Sequence, residues 1–383
     1  MLTRDLKFTT FTNKRTHTVI HTLLKDKQAN LLKYPLLDPT TQDQITIGDM
    51  HGNALKFVHF LIRHQVITMS EADYRHLIKI YRLPVDKLTS DHLTHFNQIL
   101  ARTTVESGAF IRLLGDELAD RGSNDYFTLK LLEKIAPQVQ LEIILSNHAL
   151  EFIAMFEDGL KNYTSDLVSG QARSLFNLGA LVKKNLVDPA EISNIITEHY
   201  QPHLKIISYS LDESRKFISI YSHAPIGIHT VQSLATFFNV SYVDRSAIDL
   251  ANTIENINKA FLQVVIDKKL IVASHLKDFA LNTEIPLSLP ILRTTWARDY
   301  SKIDLPKKHI NRYQLCYIHG HDGGGYVKSQ YKDREINLDN EFGKNSQYRG
   351  KYTVLFSPNK PLLEEEKTPK KLRRSERIAA LGK

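Results

Sequence analysis

The chain has 383 residues, a formal net charge of +8, 42% hydrophobic and 24% charged residues, and a single cysteine, Cys316. These are the values of a globular protein large enough for one big domain or two ordinary ones. They exclude an internal disulfide, and no stretch reaches the roughly 20 apolar residues that a membrane-spanning helix needs. The opening Met1-Leu2-Thr3-Arg4-Asp5 lacks the apolar core of a signal peptide. Part of the charge belongs to the C-terminal tail: residues 364–383 carry seven Lys/Arg against four Glu, a net of +3 that leaves about +5 for the body. That excess can attract anionic phosphate substrates. It is too dispersed to argue for nucleic acid, so the expectation is a soluble, cytoplasmic-type protein without nucleic-acid or membrane partners.

In chain order, residues 1–43 read as an N-terminal arm or short helix closed by the turn-rich Leu37-Asp38-Pro39-Thr40-Thr41. A strand at 44–47 opens the main body, which extends to residue 360. Asn53 is a good N-cap for a helix carrying Leu55, Val58, Leu61 and Ile62 at helical spacing. Residues 66–108 predict a helical insertion, started by Ser70-Glu71-Ala72-Asp73, broken at Pro84 and restarted at Ser90-Asp91. After a strand at 110–114, Phe127, Leu131 and Ile135 line one face of a helix. Residues 149–200 read as mostly helical with a break at Asp188-Pro189. A second insertion, 226–295, holds a helix over 250–265. The last strand is Tyr352–Phe356, and charge dominates from Pro361 on, as in a disordered tail.

Five short apolar runs end in a small residue followed by a metal-type ligand. They run into Gly48-Asp49-Met50-His51, Gly115-Asp116, Ser146-Asn147-His148, Ser222-His223 and His319-Gly320-His321. Taken singly, an Asp after a strand is usually a cap or turn former, and most of the 17 histidines must be structural. Five in register describe something else. In open α/β sheets ligands bind beyond the carboxyl ends of the strands. The oxygen and nitrogen donors collected there suit Mn²⁺, Fe or Zn²⁺ better than Ca²⁺.

These blocks resemble those of the calcineurin-like metallophosphoesterases, and specifically the phosphoprotein phosphatase family, whose pattern is GDxHG, GDxxDRG, GNHE, a later His before a small residue, and a final GH. Here they stand as Gly48–Asn53, Gly115–Gly122, Ser146-Asn147-His148, His223-Ala224-Pro225 and Gly320-His321. The resemblance implies an α/β fold with a central β-sandwich flanked by helices and interrupted by helical insertions. It implies two divalent metal ions, Mn²⁺ first and Fe or Zn²⁺ next. Asp49 and His51 would bind the first ion, Asp116 would bridge, and Asn147, His223 and His321 would bind the second. His148 would be the general acid, oriented by Asp120. Arg121 would hold the phosphate, with Arg298 of Thr295-Trp296-Ala297-Arg298 as the second arginine.

Three departures stand out. The second block is one residue longer than the family pattern, Ser146 replaces a glycine, and the Glu after the histidine is absent. Gly320-His321 is not followed by a second His two positions on, which favours the phosphoprotein phosphatase arrangement over nuclease-like members.

The implied reaction is attack of a metal-bridging hydroxide on a phosphomonoester, with Ser/Thr phosphoproteins, and then Tyr phosphoproteins, as the expected substrates. The rivals are a hydrolase of dinucleoside polyphosphates or other small phosphate esters, and a non-catalytic phosphoprotein-binding scaffold. A cysteine phosphatase is excluded, since the residue six after Cys316 is Asp322 rather than Arg, and no GxxxxGK[ST] loop is present. The acidic cluster Glu364-Glu365-Glu366 near the C-terminus resembles the secretion signals of bacterial effector proteins, which would place the enzyme in a host cell. Its basic neighbours offer a localisation patch instead.

Overall fold

An antiparallel hairpin leads the chain, β1 (Leu6–Thr12) and β2 (Val19–Asn30), where an arm or helix was expected. A computed structural model describes residues 6–12, 18–38, 44–106, 108–161, 163, 170–278, 285–298, 309–310, 313–321 and 335–358. The charged tail at 361–383 lies outside them. β3 (Gln44–Ile47) hands over to α1 (Ala54–Arg63), whose N-cap Asn53 accepts from the Lys56 N–H. The first insertion holds α2 (Glu71–Tyr81) and α3 (Ser90–Arg102), bracketed by the short pair β4 (Ile67–Thr68) and β5 (Thr104–Val105). β6 (Phe110–Leu113), α4 (Asp125–Ile135), β7 (Gln140–Ile144) and α5 (Asn147–Glu157) follow. Then come α6 (Arg173–Lys183) and α7 (Pro189–Ile195), capped at Asp188.

β8 (Leu204–Lys205), β9 (Ser208–Leu211) and β10 (Phe217–Tyr221) lead into the second insertion. It carries α8 (Ile228–Phe237), α9 (Ala247–Ile266), α10 (Leu270–Ser274) and α11 (Pro290–Trp296). β11 (His309–Ile310), β12 (Tyr313–His319), β13 (Glu335–Asn337) and β14 (Arg349–Ser357) complete the described chain.

The strands form a seven-stranded sheet in the order β1-β2-β14-β3-β6-β7-β8 and a second sheet in the order β11-β12-β10-β9 with β13 also on β12. β3, β6 and β7 run parallel, as do β10 and β12. Parallel neighbours need crossovers, which α1–α3, α4 and the second insertion supply.

Alternation along each strand sorts side chains to two faces. Ile45, Ile47, Ile111 and Leu113 join Phe57, Leu61, Phe127 and Leu131 of α1 and α4 in one large core. On the other face Leu23, Ile144 and Leu355 of the first sheet meet Phe217, Cys316 and Ile318 of the second. The two sheets therefore pack face to face, with α1 and α4 outside the first and α8 and α9 outside the second, where Ile218, Ile220 and Leu315 meet Leu234, Ile254 and Phe261. Among the described residues no helix is long and apolar enough to cross a membrane.

The carboxyl ends of the central strands are laced to one another. The Leu114 N–H donates to Ile47 O (3.0 Å), Met50 to Gly115 O (3.1 Å), Ser222 to Ile318 O (3.0 Å) and Gly320 to His223 O (2.8 Å). Residues far apart in sequence thus meet at one end of the sandwich.

Candidate metal centre

Beyond β3, Asp49 turns its carboxylate toward β12, where it accepts from the His321 N–H at 3.1 and 3.2 Å. Residue 320 must be glycine for this contact, since a Cβ there would lie 1.8 Å from Asp49 Oδ1. Burial and the nearby Asp339 and Asp116 carboxylates push the Asp49 carboxyl well above its usual range, and the His321 N–H and Lys56 offset only part of that. A cation would relieve it. Lys56 is 1% exposed and donates to Asp49 O at 2.5 Å. Burial lowers its pKa to about 8 against the pull of four surrounding carboxylates.

In the second block Asp116 (φ 55°) and Ala119 (φ 52°) take left-handed conformations. Both oxygens of Asp125 accept from the Ala119 N–H (3.1 and 3.0 Å). From α6, Ser174 accepts from the Asp120 N–H through its hydroxyl (3.0 Å) and donates its own N–H to Asp120 O (2.9 Å). Arg173 Nε donates to Gly122 O (3.0 Å). A Cβ at 122 would lie 1.5 Å from Gly52 O, so the first two blocks touch through glycines. Ser146, standing where the family pattern has glycine, caps α5 at Ala149 N and also accepts from the Asp116 N–H, both at 3.0 Å.

His148 donates from Nδ1 to Ala119 O (2.7 Å) and presents Nε2 to Asp120 Oδ1 at 3.5 Å. Burial pulls its pKa down, but Asp120, Asp116 and the Ala119 carbonyl outweigh it and hold the imidazole above its ordinary range. Burial also disfavours the Asp120 carboxylate, yet the His148 imidazolium first and Arg121 with it hold it well below the usual range.

The remaining residues meet around His223. Its Nδ1 is 2.7 Å from Leu114 O, a group that can only accept, so the proton sits on Nδ1 and Nε2 is a bare lone pair. That lone pair faces Asn147 Oδ1 at 2.8 Å and Asp116 Oδ1 at 3.4 Å, with His321 Nδ1 at 3.2 Å. Acceptors aimed at acceptors in a buried site repel one another, and a cation makes them ligands. Among the described residues, the groups of side chains placed to share an ion are Asp49, Asp116 and His223, and His51, Asp116 and Asp120, each with its ligand atoms within 4.8 Å. The donor chemistry fits a divalent ion.

Of the two phosphate-binding candidates, Arg121 donates from Nη1 to Asp120 Oδ1 (2.6 Å), and Arg298 from Nη1 to His321 O (3.1 Å). Sequence reasoning missed Lys56, Asp339 and the buried pair in which Tyr200 donates to Glu117 (2.5 Å). Burial, partly offset by Tyr200, raises Glu117 to about 7. A separate cavity of about 600 Å³, lined by Lys27, Lys33, Arg63 and Arg349 among others, contains none of these residues.

Comparison with known proteins assigns the class, which is that of a phosphatase domain. A family model described as "WipA-like, phosphatase domain" matches residues 110–344, more than half of the chain, and the chain belongs to that family. The crystal structure of the phosphatase domain from the Legionella effector WipB is similar with a TM-score of 0.66 and 32% sequence identity, over 74% of this chain and 100% of that one. No curated protein matches this chain. The family match starts at β6 and so includes Asp116 through His321, while Asp49 and His51 precede it.

Proposed function

We propose that this phosphatase is a binuclear metal enzyme hydrolysing phosphomonoesters, with Ser/Thr phosphoproteins and then Tyr phosphoproteins as substrates. The observation that carries the reading is the pair of ligand groups sharing Asp116, each buried and built from carboxylates and imidazoles. Asp49, His51 and Asp116 would hold one ion, and Asp116, Asn147, His223 and His321 the other, with Mn²⁺ the first ion to test. Bound there, two divalent cations acidify water and neutralise charge on phosphorus.

The chain's own groups do the rest. Arg121 and Arg298 orient the phosphate, for which a guanidinium fork is suited. His148, held cationic beside Asp120, protonates the leaving oxygen from Nε2 while Ala119 O keeps its Nδ1 proton in place. No covalent phosphoenzyme is required, and the buried Cys316, whose thiol burial pushes up to about 12, takes no part.

The test is hydrolysis of phosphoserine, phosphothreonine and phosphotyrosine peptides and of dinucleoside polyphosphates with Mn²⁺, by the wild type, Asp49→Asn and His148→Asn. Turnover of peptides lost in both variants supports the reading. No turnover of any substrate with any divalent ion, or full activity in both variants, overturns it. Kinship with a Legionella effector supports delivery into a host cell; deletion of 361–383 that leaves export unchanged would remove the tail from that role.

A further inference from the structure

In the second block Asp125 accepts from the Ala119 N–H, and Ser174 pairs with both the N–H and the carbonyl of Asp120. The Asp120 side chain is fully buried and its two oxygens differ. Oδ1 accepts from Arg121 and faces His148. Oδ2 has no hydrogen-bond partner and faces His51 Nδ1 at 3.4 Å.

The state of His51 follows from its other nitrogen. Nε2 lies 2.7 Å from Asn340 O, which can only accept, so Nε2 carries a proton, and in the neutral ring Nδ1 is the acceptor. His51 Nδ1 is itself buried without a partner, and so is Asp116 Oδ1. Three partnerless acceptors therefore converge in a site closed to solvent. Buried polar atoms are almost always paired, and a cluster of unpaired acceptors calls for a donor or a cation between them. The Asn340 carbonyl behind His51 is the outer support usual for a metal-binding imidazole.

We propose that Asp120 is itself a metal ligand, joining His51 Nδ1 and Asp116 through Oδ2 while Oδ1 holds His148 and Arg121. This rests on the binuclear reading and changes one of its parts: Asp120 does not only orient His148, it ties His148 to the ion. A purely orienting Asp120, or a protonated His51 paired with it, would change ion affinity at residue 120 by no more than the about 10–100-fold of an outer-shell partner, with both ions still bound.

The test is Mn²⁺ titrated into the metal-stripped full chain, followed by calorimetry and by metal content after gel filtration. The wild type is expected to hold two ions. Asp120→Ala should hold one, or bind one of them more than about 100-fold more weakly, beyond what the loss of an outer-shell partner costs. The near-isosteric Asp120→Asn keeps the shape and one amide oxygen, and should show a smaller weakening. His148→Asn, which removes the other partner of Asp120, should bind both ions as the wild type does. Two ions held by Asp120→Ala with no more than about 100-fold weakening would overturn the proposal. A single ion in the wild type would overturn the binuclear reading instead. Asp120 would then stand if Asp120→Ala loses that ion and Asn147→Ala keeps it, and would fall if the reverse holds.

Discussion

Two buried clusters in this chain use the same residue types to opposite ends. Between the sheets, His21 meets Ser219 at 2.6 Å and Ser357 at 2.9 Å, and Tyr221 Oη meets Ser357 at 2.7 Å and Ser210 at 2.9 Å. Arg112 donates to Glu142 (2.8 Å), Gln44 (3.1 Å) and Thr46 (3.3 Å) and lies 3.9 Å over the Tyr221 ring. Every polar atom named there has a partner. At the strand ends, His51, Asp116 and Asp120 each keep an unpaired acceptor. A saturated network specifies the sandwich and has nothing left to bind. The unsaturated one has groups placed to hold a cation.

The sharpest way to break this contrast is at the shared carboxylate. Asp116→Asn or Asp49→Asn should lower phosphatase activity about 10³-fold or more, because several kcal/mol of charge stabilisation go with the ion, and metal content should fall with it. His148→Asn should lower kcat by about 10²–10⁴-fold while both ions stay bound. Since its acid form is needed and its pKa is raised, wild-type activity should decline as pH rises above the ordinary histidine range, and that limb should vanish in the variant. Arg121→Lys should cost about 10–100-fold in kcat/KM, the worth of a charged hydrogen bond of roughly 1.5–3 kcal/mol.

The smallest effect belongs to the saturated cluster. Burial, with Arg112 adding to it, lowers His21 to about 3. Unfolded, it takes a proton near 6.5, so His21 costs nothing at pH 7 and destabilises the fold progressively as pH falls toward 3. At pH 4 the penalty is about 3 kcal/mol. His21→Asn should therefore show a shallower loss of stability between pH 7 and pH 4 in urea unfolding, with metal binding unchanged.

The strand ends were legible because each is a local signal, a short apolar run, then a small residue, then a ligand, and all five runs are strands. What escaped was non-local. Lys56 sits on the apolar face of α1, where a cation reads as surface, and only the fold brings Asp49 O to it. Asp339 follows β13 in a stretch without a ligand pattern, and only the β12–β13 pairing carries it to 3.7 Å from His51 Nε2. The N-terminal hairpin was misread because β2 mixes Lys, Asp and Gln into its run, and its apolar side chains become meaningful only against β14. Nor does spacing show that the two Asp120 oxygens face different partners, Arg121 and His148 on one side and His51 on the other.

The most direct test of the central claim is the melting temperature of the metal-stripped wild type as Mn²⁺ is added. Unpaired acceptors that form a cation site should make it rise, by the equivalent of about 2.7 kcal/mol at one hundred times the dissociation constant, and Asp116→Asn should show no rise. A wild type that Mn²⁺, Zn²⁺ and Fe²⁺ all leave unchanged would contradict the account.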